Sequence, residues 1–131
     1  MNQTNVQQSA AGYTVATVGN LATFDGKAFV KELVGTTGME VSFGSLASGE
    51  AVPFFHHHKL NEELYIVISG EGEFTLDGQV VAVGSGSLVR IAPAVSRCVR
   101  CTSAEPLVYI CIQAKEGSLE QYTMTDGVVE P

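Results

Sequence analysis

The sequence predicts an all-β protein, and three observations lead to that fold class. Charged residues make up only 16% of the 131 residues while glycine occurs 14 times, which is unlike a helical bundle. Turn residues such as Asp77-Gly78 interrupt the chain at short intervals. Between them lie runs of about five to seven residues rich in Val, Ile, Phe, Tyr and Thr, and none keeps a helical period. This spacing is typical of a sandwich or barrel.

The predicted strands follow the chain as short apolar runs. They are AFVKELV, MEVSFGSL, AVPFF, ELYIVIS, EFTL, QVVAV, SLVRI, SRCVRC, PLVYICIQ and EQYTM. Asp77-Gly78 separates two of these runs, and a type I′ turn needs positive φ at both of its central positions. We therefore expect residues 72–76 and 79–83 to pair as a hairpin.

The run ELYIVIS is apolar on both faces of the strand it predicts. Tyr65 and Val67 alternate with Leu64, Ile66 and Ile68, and successive side chains of a strand point to opposite faces. A strand covered on both faces implies a sheet that is buried by a second sheet or by a second subunit. We therefore expect a homodimer.

The length and charge of the chain limit its organisation and its partners. The 131 residues predict one domain, in which a polar, flexible N-terminal tail at 1–12 precedes a single folded unit at 13–131. A formal net charge of -7 disfavours nucleic acid and anionic membrane surfaces as partners. The opening residues show no leader pattern, and no apolar run approaches the ~20 residues that span a bilayer. We expect a cytoplasmic protein.

Cysteine occurs three times, at Cys98, Cys101 and Cys111, which is an odd number for a disulfide framework. The first two have C-x-x-C spacing, but VSRCVRC predicts a strand, on which residues three apart point to opposite faces. We therefore expect buried thiols rather than a zinc or redox motif.

All three histidines are adjacent, at His56, His57 and His58. On an extended segment His56 and His58 share a face and His57 points away, and Glu63 returns on the next strand after a short connection. Two imidazoles and a carboxylate form an open triad suited to Fe, Mn, Ni or Zn. A solvated histidine loop beside an exposed acidic pair remains the alternative from spacing alone. A purification tag is disfavoured because the run is internal.

The segment Gly49-EAVPFF-His56-x-His58-KLNE-Glu63-LYIVIS-Gly70 resembles the first conserved motif of the cupin superfamily. It departs from that motif only by having six rather than five residues between Gly49 and His56. The resemblance implies a double-stranded β-helix, or jelly roll, of the single-domain kind, which is usually a homodimer with a site inside the barrel mouth. His56, His58 and Glu63 are similar to three of the four cupin metal ligands.

The segment from Gly86 to Cys101 falls where cupins carry their second motif, and here most identities differ. Alanines replace the proline and the second glycine of the motif, and Cys101 replaces its asparagine. Arg97 stands at the position of the fourth metal-binding histidine. A guanidinium stays protonated and cannot ligate a metal.

Two arrangements follow from Arg97. In the first, which we favour, a metal sits on the triad and the Arg97 guanidinium grips a substrate carboxylate or phosphate that also reaches the metal. In the second, Arg97 pairs with Glu63 and replaces the charge of the metal. We favour the first because two histidines that point inward have little use in the second.

The predicted function is a metal-dependent protein of isomerase, lyase or dioxygenase type that acts on or binds a small anionic metabolite, with its catalytic residues unassigned. Arg97, Tyr65 and Gln113 are the candidate substrate-binding residues, since Tyr65 shares the face of Glu63 and Gln113 ends an apolar strand. The alternative is a non-catalytic binding or sensing cupin, metal-free if Arg97 pairs with Glu63. The fold alone selects neither.

Overall fold

The computed structural model describes residues 2–131 of the chain. A 3-10 turn spans Leu21–Thr23 and one helix, α1, spans Lys31–Val34. The strands are β1 (Asn5–Ala10), β2 (Tyr13–Thr17), β3 (Lys27–Phe29), β4 (Glu40–Leu46), β5 (Asn61–Ser69), β6 (Glu71–Leu76), β7 (Gln79–Gly84), β8 (Leu88–Ile91), β9 (Arg97–Cys101) and β10 (Leu107–Lys115). The prediction of an all-β protein is confirmed.

Two antiparallel sheets enclose the main core. The larger sheet has five strands in the order β3-β4-β10-β5-β8, and the smaller has three in the order β7-β6-β9. Inward-facing side chains of both sheets form one buried cluster: Leu46, Tyr65, Val67, Phe74, Ile91, Val99, Cys101, Leu107, Tyr109 and Cys111. The three cysteines are free thiols, two buried and one half-buried.

The predicted hairpin is confirmed. β6 pairs with β7 in a register that places Leu76 opposite Gln79, so the turn consists of Asp77 and Gly78. Their φ angles are 48° and 82°, the pair of positive values that a type I′ turn requires.

The outer face of the five-stranded sheet is only partly covered. Over β3 and β4 the preceding part of the chain packs a second apolar cluster around Val18, Phe24 and Val30. Over β10, β5 and β8 the outward side chains are half-exposed or exposed: Leu64, Ile66, Leu88, Ile110 and Ile112. They are neighbours on the paired strands and form an apolar surface, which Arg90 borders opposite Leu64 and which we call the outer apolar face.

Three predicted strands are wrong in whole or in part. AFVKELV begins as β3 but continues as α1, because Gly35 ends the turn in the left-handed conformation (φ 80°) and the Glu40 carboxylate accepts a hydrogen bond from the Lys31 amide. AVPFF is not a strand, because Pro53 has no amide to donate to a ladder. EQYTM lies in exposed chain after β10, and within residues 2–131 it pairs with no strand.

The predicted flexible tail at 1–12 contains ordered pairing that the sequence did not indicate. β1 pairs with β2 as an antiparallel hairpin that turns at Gly12, whose φ is 94°. Every residue of β1 is exposed, so backbone pairing rather than side-chain burial defines this hairpin. Met1 lies outside the described residues. In residues 2–131, no helix has both the length and the apolar character that crossing a bilayer requires.

Candidate metal centre

The histidines lie on a segment that runs beside β9 without forming a regular strand. His56 and Arg97 exchange backbone hydrogen bonds of 3.2 and 3.0 Å, and the His58 amide donates to the carbonyl of Pro93 at 2.9 Å. These bonds hold the segment extended, so His56 and His58 turn to one side and are half-buried while His57 is exposed. The predicted alternation therefore holds even though AVPFF is not a strand.

Glu63 completes the cluster from β5. Its side chain is only 4% exposed and points into the barrel, on the same face as Tyr65 and Val67. One ligand atom from each of His56, His58 and Glu63 lies within 4.8 Å of the others. The two imidazole rings are 5.2 Å apart and nearly perpendicular, and His58 Nε2 is 3.1 Å from Glu63 Oε2. The structure thus brings together the three side chains that the spacing predicted.

His56 is chemically suited to bind a cation. Its Nδ1 is buried and has no hydrogen-bond partner within residues 2–131. Burial lowers the pKa of His56 below its ordinary value, the Glu63 carboxylate opposes this, and the positive charge of Arg97 adds to it. The imidazole is therefore neutral at neutral pH, which is the form that ligates metals. An unpartnered buried nitrogen beside a carboxylate fits a metal site.

Arg97 is the most buried large side chain of the cluster, at 1% exposure. Its Nη1 donates to Glu63 Oε1 at 2.7 Å, and its Nε donates to the carbonyl of Val95 at 3.0 Å. Its Nη2 is within hydrogen-bond distance of the carbonyls of Ala92, Pro93 and Val95. The ion pair of the second arrangement is therefore present. Arg97 therefore has no free pair of N–H donors with which to bind a substrate anion as the first arrangement requires.

This ion pair leaves one oxygen of Glu63 for the histidines. Arg97 binds Oε1, while Oε2 faces His58. The two arrangements that we predicted as alternatives are thus compatible for Glu63, since the same carboxylate can pair with Arg97 through one oxygen and ligate through the other.

The two other candidate substrate-binding residues lie in different surroundings. The Tyr65 ring packs against Phe74 and Tyr109, with centroids 4.9 and 5.6 Å apart, and burial raises the pKa of the Tyr65 hydroxyl well above its ordinary value. Gln113 lies opposite Glu63 in register, and its Oε1 accepts a hydrogen bond from Asn61 at 3.0 Å. Gln113 lines a cavity of about 440 Å³ at the end of the barrel where β4 and β5 begin.

Sequence reasoning missed a second group of residues near the cluster. Lys27, Phe29, Phe54 and Tyr109 line a cavity of about 430 Å³ between β3 and the segment that leads to His56. The alternation of Lys27 and Phe29 around Ala28 was the only available signal. This alternation does not indicate a cavity in the sequence, because the cavity forms only where the fold places β3 opposite residues 51–54.

Comparisons with known proteins agree with this architecture. Residues 42–113 match the family model described as the cupin domain, and no curated protein matches the chain. A cupin protein from Bacteroides fragilis is 39% identical, with a TM-score of 0.80, over 98% of this chain and 100% of that one.

More distant solved structures share the fold. A putative sugar phosphate isomerase from Acidithiobacillus ferrooxidans is 22% identical with a TM-score of 0.60, over 68% of this chain and 58% of that one. The cupin domain of an XRE family transcriptional regulator from Enterobacter cloacae is 22% identical with a TM-score of 0.59, over 67% and 93%. The predicted double-stranded β-helix is confirmed, and the chain belongs to the cupin family.

Proposed function

We propose that this protein binds a divalent transition metal through His56, His58 and Glu63 and uses it to act on a small anionic metabolite. The observation that carries the proposal is the convergence of one ligand atom from each of the three residues within 4.8 Å, and it is supported by a buried His56 nitrogen that has no partner within residues 2–131. Two imidazoles and one carboxylate suit Fe, Mn, Ni or Zn and leave coordination positions open.

The protein contributes charge and orientation at this site. A metal held by three protein ligands supplies Lewis acidity toward a carbonyl or a position for O₂. Arg97 fixes Oε1 of Glu63, which orients the carboxylate and directs Oε2 toward His58. Burial keeps the His56 imidazole neutral and available for coordination. Cys111, on the strand next to Glu63, stays a neutral thiol because burial raises its pKa to about 12.

A second candidate function is a binding or sensing cupin without turnover and without metal. The 2.7 Å ion pair between Arg97 and Glu63 supports it, because a guanidinium already neutralises the carboxylate. Isomerase or lyase chemistry predicts activity with Mn, Ni or Zn under anaerobic conditions, whereas oxygenase chemistry predicts dependence on Fe(II) and consumption of O₂. Inactivity in both assays, over sugars, keto acids and amino acids, favours the binding protein.

Metal binding is tested by comparing two neighbouring histidines. Untagged protein dialysed against a chelator and titrated with Zn²⁺ should bind one equivalent, and His56→Ala should weaken binding by at least about 100-fold, because it removes a ligand. His57→Ala is the matched control, since His57 is exposed and turned away from the cluster. A competition titration and the visible spectrum of Co²⁺-loaded protein report the affinity and the ligand set.

Two results would contradict the proposal. One is equal Zn²⁺ affinity in the two variants, which would place the ion elsewhere. The other is a wild-type protein that contains no transition metal after purification and takes none up, which would favour the metal-free binding protein.

We further propose that the protein is a homodimer whose subunits meet through the outer apolar face. The supporting observation is that the chain covers this sheet over β3 and β4 but leaves Leu64, Ile66 and Ile112 half-exposed. An isologous contact between two such faces buries them without further chain. Cytoplasmic residence stays a prediction from the sequence.

The dimer is tested with two matched surface substitutions. Leu88 lies on the outer apolar face and is 67% exposed, so Leu88→Lys should fold normally and raise the dimer dissociation constant by about tenfold or more. Val80→Lys is the control, because Val80 is 58% exposed on β7 of the other sheet. Sedimentation velocity over a concentration series measures both, and a monomeric wild type or an unchanged Leu88→Lys dimer would contradict the proposal.

A further inference from the structure

The two sheets leave an open seam along one side of the barrel. β3 is the edge strand of the larger sheet, and residues 51–56 run beside β9 at the edge of the smaller one. The cavity of about 430 Å³ lies between these two edges, with the Tyr109 ring at its inner side. Its size is in the range of small-molecule sites. We call it the seam cavity.

The seam cavity offers a cation and exposed aromatic rings. Lys27 Nζ lies 5.1 Å from the centroid of the Phe29 ring, and within residues 2–131 Lys27 takes part in no ion pair. Phe29 and Phe54 are 63% and 57% exposed, which is unusual for phenylalanine. Unlike Arg97, whose donors are engaged, Lys27 is free to meet an anion.

The seam cavity adjoins the candidate metal centre. The Phe54 ring meets the His56 ring edge-on, with centroids 5.6 Å apart. A molecule in the cavity would therefore have one end close to His56.

Two carboxylates at the rim limit the charge that the cavity accepts. Glu50 has one oxygen engaged by the Ala47 amide at 2.9 Å, and Asp25 is exposed. With one ammonium and two carboxylates, the cavity suits a ligand with a single negative group placed at Lys27 better than a polyanion.

We propose that the seam cavity binds a small molecule with a flat apolar body and one carboxylate or similar anionic group. The apolar body lies against Phe29 and Phe54, and Lys27 binds the anion. This inference deepens the proposed function and rests on it for the claim that the bound molecule reaches a metal. Binding of the molecule in the seam cavity does not require a metal.

A matched pair of fluorescent probes tests the site. Anilinonaphthalene sulfonate carries a flat aromatic body and one sulfonate, and N-phenylnaphthylamine has the same body without the charge. Lys27→Met should lower the affinity for the sulfonate probe by about tenfold or more and change the affinity for the neutral probe by less than about twofold, because only the charge-assisted contact is lost. Phe54→Ala should lower the affinity for both probes, because it removes a ring on which the apolar body lies.

Control variants separate this site from other surfaces. Lys115→Met removes an exposed lysine at the end of β10 and should leave the affinity for the sulfonate probe unchanged. Asp25→Asn should raise that affinity, because it removes a negative charge at the rim. Equal sulfonate affinity in Lys27→Met and wild type would overturn the proposal, as would loss of binding in Leu88→Lys alone, which would place the probe on the outer apolar face.

The titration is carried out with chelator and again with added Zn²⁺. If the seam binds the probe in chelator and no metal is taken up, the inference stands and the metal proposal fails. If metal binds while Lys27→Met has no effect on the probe, the inference fails and the metal proposal stands.

Discussion

Replacing Arg97 with methionine is expected to lower the free energy of unfolding by about 3–5 kcal/mol, because removal of one partner leaves the other buried charge uncompensated. Glu63, at 4% exposure, would lose its cation, and the carbonyls of Ala92, Pro93 and Val95 would lose the guanidinium that donates to them. For a domain of this size the melting temperature should fall by roughly 10–20 °C. Thermal and urea unfolding of chelator-treated protein measure the change.

A double-mutant cycle shows whether the ion pair causes the loss. Glu63→Met together with Arg97→Met should recover part of the stability, since a pair of apolar side chains leaves no buried charge. Added Zn²⁺ should stabilise Arg97→Met more than wild type, because in the variant the ion takes the place of the Arg97 charge beside Glu63. It should not stabilise the double variant, which lacks a ligand. A single variant as stable as wild type would show that the pair contributes nothing.

Replacing Gly70 with alanine is expected to destabilise the protein by about 2–5 kcal/mol through two additive causes. Gly70 joins β5 to β6 with φ at 82°, a conformation that alanine adopts at a cost. A Cβ there would also collide with the carbonyl oxygen of Pro106 and lie 2.9 Å from Leu107 Cα. Both contacts are with backbone, so no side chain can rotate to relieve them.

Gly86→Ala separates the two causes. Gly86 has a similar φ of 87°, but no atom lies within 4 Å of the position of its Cβ. It should therefore cost only the conformational part, about 1–2 kcal/mol. Urea denaturation of both variants measures the difference, and equal losses would show that the approach of residues 106–107 does not restrict position 70.

The sequence indicated those parts of the fold that depend on local chemistry. Asp77-Gly78 predicted its turn because few residues accept positive φ, and the alternation in ELYIVIS predicted the inward face that carries Glu63. The triad was predictable because His56 and His58 lie two residues apart on extended backbone. The β1 hairpin escaped prediction because its exposed side chains carry no burial pattern.

The parts that could not be predicted depend on distant segments meeting. The pairing of Arg97 with Glu63 was one of two arrangements that the sequence left open, but the complete burial of the guanidinium was not predicted, because it depends on the carbonyls of Ala92, Pro93 and Val95 that surround it in the fold. Lys27 and Phe54 are 27 positions apart and share a cavity because the fold places β3 beside residues 51–54. The β-propensity of a segment does not indicate which distant segment it will contact.

A guanidinium fixed beside the carboxylate gives Glu63 a counter-charge that does not depend on a bound ion. Where a fourth imidazole would leave Glu63 electrically uncompensated in the apo form, Arg97 supplies a permanent counter-charge. We therefore expect the fold to persist without metal, and expect the proposed metal to bind to protein that is already folded.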